Sequence, residues 1–159
     1  MEREGKKVVV GVDHSQESLQ AVQWALDNIV EPQYGDSFVL LHSQPPPHLF
    51  MQNEAPIHGR PKIASDLVQK LRNYQEKATE AILEQAKKLC AEHQVEPTTV
   101  VVHGDPRDKI CESVNELNAD VLVMGSHSAH RSIKRAFLGS VTDYCAQNAH
   151  CAILIVKPS

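Results

Sequence analysis

The sequence predicts an α/β protein whose core is one doubly wound, parallel β-sheet of five strands. The sequence contains five short apolar runs that do not alternate with polar residues, as a strand with one solvent-exposed face would. Continuous apolar runs of this kind are typical of parallel strands that are covered on both faces. Segments with apolar residues at helical spacing lie between these runs. Strands that alternate with helices in this way are joined by right-handed crossovers, which limits the possible topologies.

Length and composition indicate a single globular domain. The chain has 159 residues, of which 42% are apolar and 23% charged, so we expect one domain over residues 1–159. The net charge of -4 argues against nucleic-acid or membrane partners, since both favour an excess of Lys and Arg. No apolar stretch approaches a membrane span, and the first residues lack a signal-peptide core. We therefore expect a cytoplasmic protein, with the nucleus as a further location.

The first half of the chain predicts two buried strands, a helix between them and a proline-rich loop. The strands are residues 6–12, reading KKVVVGV, and residues 38–41, reading FVLL. Five prolines predict an irregular loop over residues 44–62, which is either a binding loop or a tolerated insertion. The helix is indicated by apolar residues at helical spacing, which are Leu19, Val22, Leu26 and Ile29.

The second half predicts a long helix over residues 64–93, then strands at 99–102, 121–124 and 152–156. A helix should begin after the third strand, because Asp105 is a favourable N-cap and Pro106 suits the first helical position. The apolar positions that fit the long helix are Leu67, Leu71, Tyr74, Ala78, Ile82 and Leu89.

Four cysteines are present, at positions 90, 111, 145 and 151, and no two form a CxxC pair. In a reducing compartment we expect free thiols that are mostly buried. A redox role is the alternative.

Candidate ligand-binding residues follow the carboxyl ends of the predicted strands, where open α/β sheets bind their ligands. Asp13 has two interpretations. Its carboxylate accepts a hydrogen bond from a ribose hydroxyl or a purine amino group, or it caps the first helix together with Gln16. The candidates at these strand ends are Val12 and Asp13, Ser43, Gly104, and Gly125 and Ser126.

The stretch from Asp120 to Cys145 reads as a buried strand, a basic loop and the start of a helix. Helix N-termini bind anions, so the Ser140 hydroxyl and the N–H groups of Val141 and Thr142 are predicted to hold a phosphate. Basic residues in the loop, Arg131 among them, would add charge-assisted contacts. Alternatively, Ser140 and Asp143 form a capping box that only starts the helix.

Several motifs are missing from the sequence. It contains no GxxxxGK[ST], no GxGxxG after the first strand and no GxSxG, and no residue is a persuasive nucleophile. His127 and His130 are the only candidates for a general base, and two histidines without a third ligand do not make a zinc site. We therefore predict no catalytic residues and no metal site.

Four blocks of the sequence carry a family resemblance. They read VVVGVDHSQES, FVLLHSQPP, VVHGDPRDKI and ADVLVMGSHS…IKRAFLGSVTDYCAQNAHCAILIVKP. Together they resemble the universal stress protein family, closest to its small single-domain plant members. The resemblance implies a Rossmann-like, adenine nucleotide alpha hydrolase-like sheet of order 3-2-1-4-5. It also implies a homodimer in which residues 152–156 pair with their symmetry mate, which would cover an apolar edge strand.

One branch of that family binds ATP or AMP through G-x2-G-x9-G-[ST]. In this sequence the motif begins at Gly125 and closes at Gly139-Ser140, but Ser128 replaces the second glycine and the loop is one residue longer. His130 and Arg131 are candidates to replace the lost contact. The residues predicted to bind nucleotide are Val12, Asp13, Ser43, Gly104, Gly125, Ser126, His127, Ser128, His130, Arg131, Gly139, Ser140, Val141 and Thr142.

Three functions are open at this point. The first is a stress-response regulator that binds ATP or AMP, with or without Mg²⁺. The second is a nucleotide-free, dimeric interaction or chaperone-like module whose phosphate loop has degenerated. The third is an enzyme with weak ATP hydrolysis at most, or with chemistry on another adenylate, in which His127 or His130 would be the base.

Overall fold

The computed structural model describes residues 3–46, 61–126 and 139–158, with only the backbone described at 61–64. Five parallel strands form one sheet in the order β3-β2-β1-β4-β5. The predicted fold class and strand order are confirmed. The strands are β1 (Lys7–Gly11), β2 (Ser37–Gln44), β3 (Thr98–His103), β4 (Val121–Gly125) and β5 (Ala152–Val156).

Helices cover both faces of the sheet, as the doubly wound prediction requires. They are α1 (Gln16–Asn28), α2 (Pro61–Glu92), α3 (Pro106–Glu116) and α4 (Ser140–Asn148), with a short 3-10 turn at Pro32–Tyr34. Val8 and Val10 of β1 pack with α1 and α2 in one apolar cluster, while Val9 packs with α3 and α4 in the other. Side chains alternate between faces along a strand, so the unbroken valine run fills both cores.

Two of the predicted helix starts are wrong in detail. For α1 the N-cap is Ser15, whose hydroxyl accepts from the Ser18 N–H at 3.2 Å, and Asp13 lies two residues before it. For α4 the N-cap is Gly139, so Ser140 is the first helical residue and cannot form the predicted capping box. The Asp105 cap of α3 is confirmed, because its carboxylate accepts from the Arg107 N–H at 2.9 Å.

The boundaries predicted for the proline-rich loop also need correction. Gln44 belongs to β2, where it pairs with His103 of β3, and Pro61 is the first residue of α2. Proline suits the first turn of a helix because its missing N–H would have no intrahelical partner there. Residues 47–60 of the predicted loop lie outside the described residues.

The predicted long helix is confirmed, but its first half buries a polar face. Leu67 and Tyr74 are 39% and 72% exposed, whereas Gln75 and Thr79 are buried. Gln75 Nε2 donates to the Pro45 carbonyl at 3.1 Å, beyond the end of β2. This part of α2 thus covers the carboxyl edge of the sheet, where backbone groups need polar partners.

All four cysteines are free thiols, three of them buried and Cys151 half-buried, as the sequence predicts. Among the described helices, none is both long and apolar enough to cross a membrane.

Candidate functional site

A cavity of about 320 Å³ opens at the carboxyl edge of the sheet, within the size range of small-molecule sites. The ends of β1, β2 and β4 meet there with the first turns of α1, α3 and α4. The described lining residues are Gly11, Val12, Asp13, Ser18, Ser43, Pro106, Ile110, Met124, Gly125, Gly139, Ser140, Val141 and Thr142.

Most of the described residues predicted for the site meet at this cavity. Gly104 and Ser126 are not part of its described lining. The Ser126 N–H instead donates to the Val156 carbonyl at 2.9 Å, and the Gly104 N–H donates to the Gln44 carbonyl at 3.0 Å. His127, Ser128, His130 and Arg131 lie outside the described residues. The predicted residues that line the cavity are Val12, Asp13, Ser43, Gly125, Gly139, Ser140, Val141 and Thr142.

The sequence reasoning missed five lining residues: Gly11, Ser18, Pro106, Ile110 and Met124. Gly11 is the last residue of β1 and Met124 is the second-last residue of β4. Both were missed because only residues that follow the predicted strands were considered as candidates. Pro106 and Ile110 lie one turn apart on α3. Their four-residue spacing places them on one helix face, and this spacing is the sequence signal that could have found them.

Asp13 lies on one side of the cavity, in a loop fixed by two serines. Its carboxylate accepts from the Ser15 N–H at 2.8 Å and from the Ser15 hydroxyl. Its own N–H donates to Ser18 Oγ at 3.1 Å. Among the described residues that line the cavity, Asp13 alone carries an ionisable side chain. This side of the cavity therefore offers a positioned acceptor for hydroxyl or amino groups.

The N-terminus of α4 lies on the other side. Gly139 caps this helix without a side-chain hydrogen bond, and the first N–H groups of any α-helix have no intrahelical acceptor. Thr142 is 1% exposed, and its buried hydroxyl has no hydrogen-bond partner among the described residues. The helix dipole and the free N–H groups at this end of α4 favour an anion, and the buried Thr142 hydroxyl is a further donor in the same turn.

The walls between these two sides are largely apolar. Val12, Ile110 and Met124 are each buried by more than nine-tenths and line the cavity. The Ser43 hydroxyl donates to the Gly104 carbonyl at 3.4 Å, a long bond at the limit of the usual range. The site thus combines apolar walls with an acceptor at one side and donors at the other, which fits a ligand with an apolar body and an anionic end.

Gly125 is required by packing alone. A Cβ built on this residue would lie 2.5 Å from the Glu17 carbonyl oxygen in the first turn of α1. Only glycine allows α1 to approach the end of β4 this closely. The first glycine of the motif therefore has a structural reason that does not depend on a ligand.

A second cavity of about 520 Å³ adjoins the first through Asp13, Ser43 and Pro106. The buried His42 of β2 is one of its lining residues. His42 Nδ1 lies 2.7 Å from the Val12 carbonyl, and since a carbonyl only accepts, Nδ1 carries the proton. Nε2 lies 3.2 Å from the Thr79 hydroxyl. Burial lowers the pKa of His42, so this imidazole is neutral at pH 7 and holds β2 against α2.

The model of the universal stress protein family matches residues 5–157. The chain belongs to this family. It is 30% identical to the universal stress proteins PHOS32 and PHOS34 of Arabidopsis thaliana over 96% of its length, but it spans only 64% and 62% of those two proteins. A universal stress protein of Methanocaldococcus jannaschii is 31% identical, with 96% of this chain and 82% of that protein covered.

Among solved structures, a universal stress protein family protein from Arabidopsis thaliana superposes with a TM-score of 0.68 at 25% identity. The superposition covers 97% of this chain and 92% of that one, and that protein was crystallised with AMP bound.

Proposed function

We propose that this chain binds an adenine nucleotide, ATP or AMP, in the cavity at the carboxyl edge of the sheet. The observation that carries the proposal is the Thr142 hydroxyl, which is buried without a partner among the described residues and belongs to a residue that lines the same cavity as Asp13. A buried hydroxyl is costly unless something bonds to it, so its position favours a polar ligand.

Each side of the cavity has a role in this proposal. The Asp13 carboxylate accepts from a ribose hydroxyl or the purine amino group, while Val12, Ile110 and Met124 enclose the base. The N-terminus of α4, from Gly139 to Thr142, receives the phosphate, with or without Mg²⁺. Gly104, Ser126, His127, Ser128, His130 and Arg131 stay predictions for the same site.

The related Arabidopsis protein that was crystallised with AMP supports the ligand class. We further propose that the chain is a single-domain, cytoplasmic or nuclear regulator that acts in the stress response through its nucleotide-loaded state. Its homodimer would form at β5, an edge strand of the sheet with the apolar sequence AILIV. Edge strands of this composition are usually covered by a partner.

The first test of nucleotide binding is direct. The protein is purified without added nucleotide and denatured, and the supernatant is run on an anion-exchange column against adenosine phosphates. We expect about one ATP or AMP per chain, because the proposal places one nucleotide in the cavity at the carboxyl edge of the sheet. An empty supernatant, with no binding when ATP and AMP are added back, would contradict the proposal and favour the nucleotide-free dimeric module.

The second test uses Asp13→Asn, because the amide keeps an oxygen for the Ser15 bonds but removes the charge. We expect its affinity for adenosine and AMP to fall by about tenfold or more, the usual size of a lost charged hydrogen bond. Asp120→Asn is the matched control, since the Asp120 carboxylate accepts from the Lys7 N–H at the opposite end of β1. If both variants bind as the wild type does, Asp13 does not contact the nucleoside.

A further inference from the structure

Two buried thiols face each other between α3 and α4. Cys111 Sγ and Cys145 Sγ are 3.4 Å apart, and the two residues are 7% and 0% exposed. Cys151 packs against the same apolar cluster and is half-buried, so of these three thiols it is the one most accessible to solvent. It also lines an open depression with Asn115, Asn118 and His150.

The fourth cysteine provides a contrast. Cys90 is fully buried in the cluster on the other face of the sheet, and burial raises the pKa of its thiol to about 11. It has no other cysteine in its cluster among the described residues, so it represents a structural thiol without an exchange partner. The other three cysteines belong to one apolar cluster, although Cys111 is 34 residues from Cys145 in the sequence.

We propose that Cys111 and Cys145 are an oxidative modification site: they form a reversible disulfide with a low-molecular-weight disulfide as oxidant, and Cys151 is the thiol through which the oxidant enters. A disulfide bond is about 2.0 Å long, so the two sulfurs need to approach by about 1.4 Å. This is a small movement for side chains on two packed helices. The inference does not depend on nucleotide binding.

The reaction proceeds by thiol–disulfide exchange. The Cys151 thiolate attacks one sulfur of the oxidant, whose S–S bond breaks and releases one thiol. The Cys111 thiolate then attacks Cys151 Sγ and releases the second thiol. Finally the Cys145 thiolate attacks Cys111 Sγ, and Cys151 leaves as a thiolate that takes up a proton. In total the protein pair loses two electrons and two protons, and one oxidant disulfide becomes two thiols.

Burial controls the rate of this exchange. It raises the pKa of both the Cys145 and the Cys151 thiols, so few thiolates are present at neutral pH. The pair should therefore survive in a reducing compartment and respond only to sustained oxidation. Raising the pH from 7 to 9 should accelerate the reaction, since the thiolate is the attacking species.

The bond would join two helices that flank the nucleotide cavity. Cys111 directly follows Ile110, and Cys145 lies three residues after Thr142, and both Ile110 and Thr142 line the cavity. The cross-link would tie α3 to α4 through the second turn of each helix, next to the cavity. It would also close a chain segment with a sequence separation of 34, which should raise Tm by roughly 10 °C.

The test incubates the full chain overnight with oxidised glutathione, blocks the remaining thiols with an alkylating agent and maps the peptides by mass spectrometry without reduction. We expect a linked peptide pair that contains Cys111 and Cys145, and a Tm rise that a reductant reverses. A glutathione adduct on Cys151 alone, cross-links between chains, or unmodified Cys111 and Cys145 would each overturn the proposal.

Variants separate the roles of the cysteines. Cys145→Ala should lose the Tm rise, whereas the matched control Cys90→Ala should keep it. Cys151→Ala should form the same cross-link several-fold more slowly, and formation at the wild-type rate would refute the entry role. If Cys145→Ala does not fold, the peptide map of the wild-type chain decides the question by itself.

Discussion

Replacing Thr142 by Val should change stability and ligand binding in opposite senses. The side chain is 1% exposed and its hydroxyl has no partner among the described residues. An unpartnered buried hydroxyl costs about 1–3 kcal/mol, and valine has nearly the same shape without it. We expect the ligand-free variant to gain about 1 kcal/mol in free energy of unfolding, which is about 2–4 °C in Tm for a chain of this size.

Ligand binding should weaken in the same variant. In the proposed complex the Thr142 hydroxyl donates to the phosphate, and a hydrogen bond to a charged group contributes about 1.5–3 kcal/mol. The affinity for AMP should thus fall by about tenfold or more. The affinity for adenosine should not change, because adenosine places no phosphate at α4.

Thr79→Val is the matched control. Thr79 is also a buried helical threonine, but its hydroxyl contacts His42 Nε2 at 3.2 Å and Gln44 Oε1 at 3.3 Å. Its loss leaves buried polar groups without partners, so this variant should lose about 1–3 kcal/mol of stability. Its AMP affinity should match that of the wild type, because Thr79 does not line the first cavity.

The assays are urea unfolding of nucleotide-free protein and calorimetric titration with AMP and with adenosine. If Thr142→Val loses as much stability as Thr79→Val, the Thr142 hydroxyl has a protein partner and the reasoning fails. If AMP and adenosine lose affinity equally, the hydroxyl contacts the nucleoside and the phosphate lies elsewhere.

Two further predictions concern stability. Gly125→Ala should lower the free energy of unfolding by about 1–3 kcal/mol with or without nucleotide, because the new Cβ would lie 2.5 Å from the Glu17 carbonyl oxygen. The control is Gly11→Ala, which should be nearly neutral in the same urea titration because its Cβ would lie no closer than 3.8 Å to another residue. Burial lowers the pKa of His42 in the folded protein. Its contribution to the free energy of unfolding is therefore present above the unfolded-state pKa near 6.5 and is lost as pH falls through the folded-state pKa. Between pH 7.5 and 5 the wild type should therefore lose more stability than His42→Asn, and equal losses would show that His42 is not the group that titrates.

Much of the fold could be predicted because its signals are local. The unbroken valine run of β1 indicates a strand covered on both faces, and Asp105 with Pro106 indicates the start of α3; both are confirmed. The strand order came from the family resemblance, because no local pattern states which strands are neighbours. The residues that cap the helices could not be fixed from the sequence, because several adjacent residues can act as an N-cap. The path of the chain selected Ser15 over Asp13 and Gly139 over Ser140.

The sequence could predict those residues of the candidate site that lie at the carboxyl ends of the strands. Asp13, Ser43 and Gly125 lie at the carboxyl edge of a parallel sheet by topology alone, and the structure brings them to one cavity. Ile110 and Met124 could not be separated from the core, because an apolar residue that faces a cavity has the same sequence pattern as one that faces a helix.

The sequence alone determined the kinds and order of the elements, the family and the edge of the sheet where a ligand belongs, since these depend on periodicity, turns and motifs within short stretches. The tertiary structure decided that the Thr142 hydroxyl is buried without a partner among the described residues and that the Glu17 carbonyl leaves no room for a Cβ on Gly125. It also decided that the Cys111 and Cys145 sulfurs lie 3.4 Å apart. These features join residues from different elements, and only the packing of helices on the sheet fixes such distances.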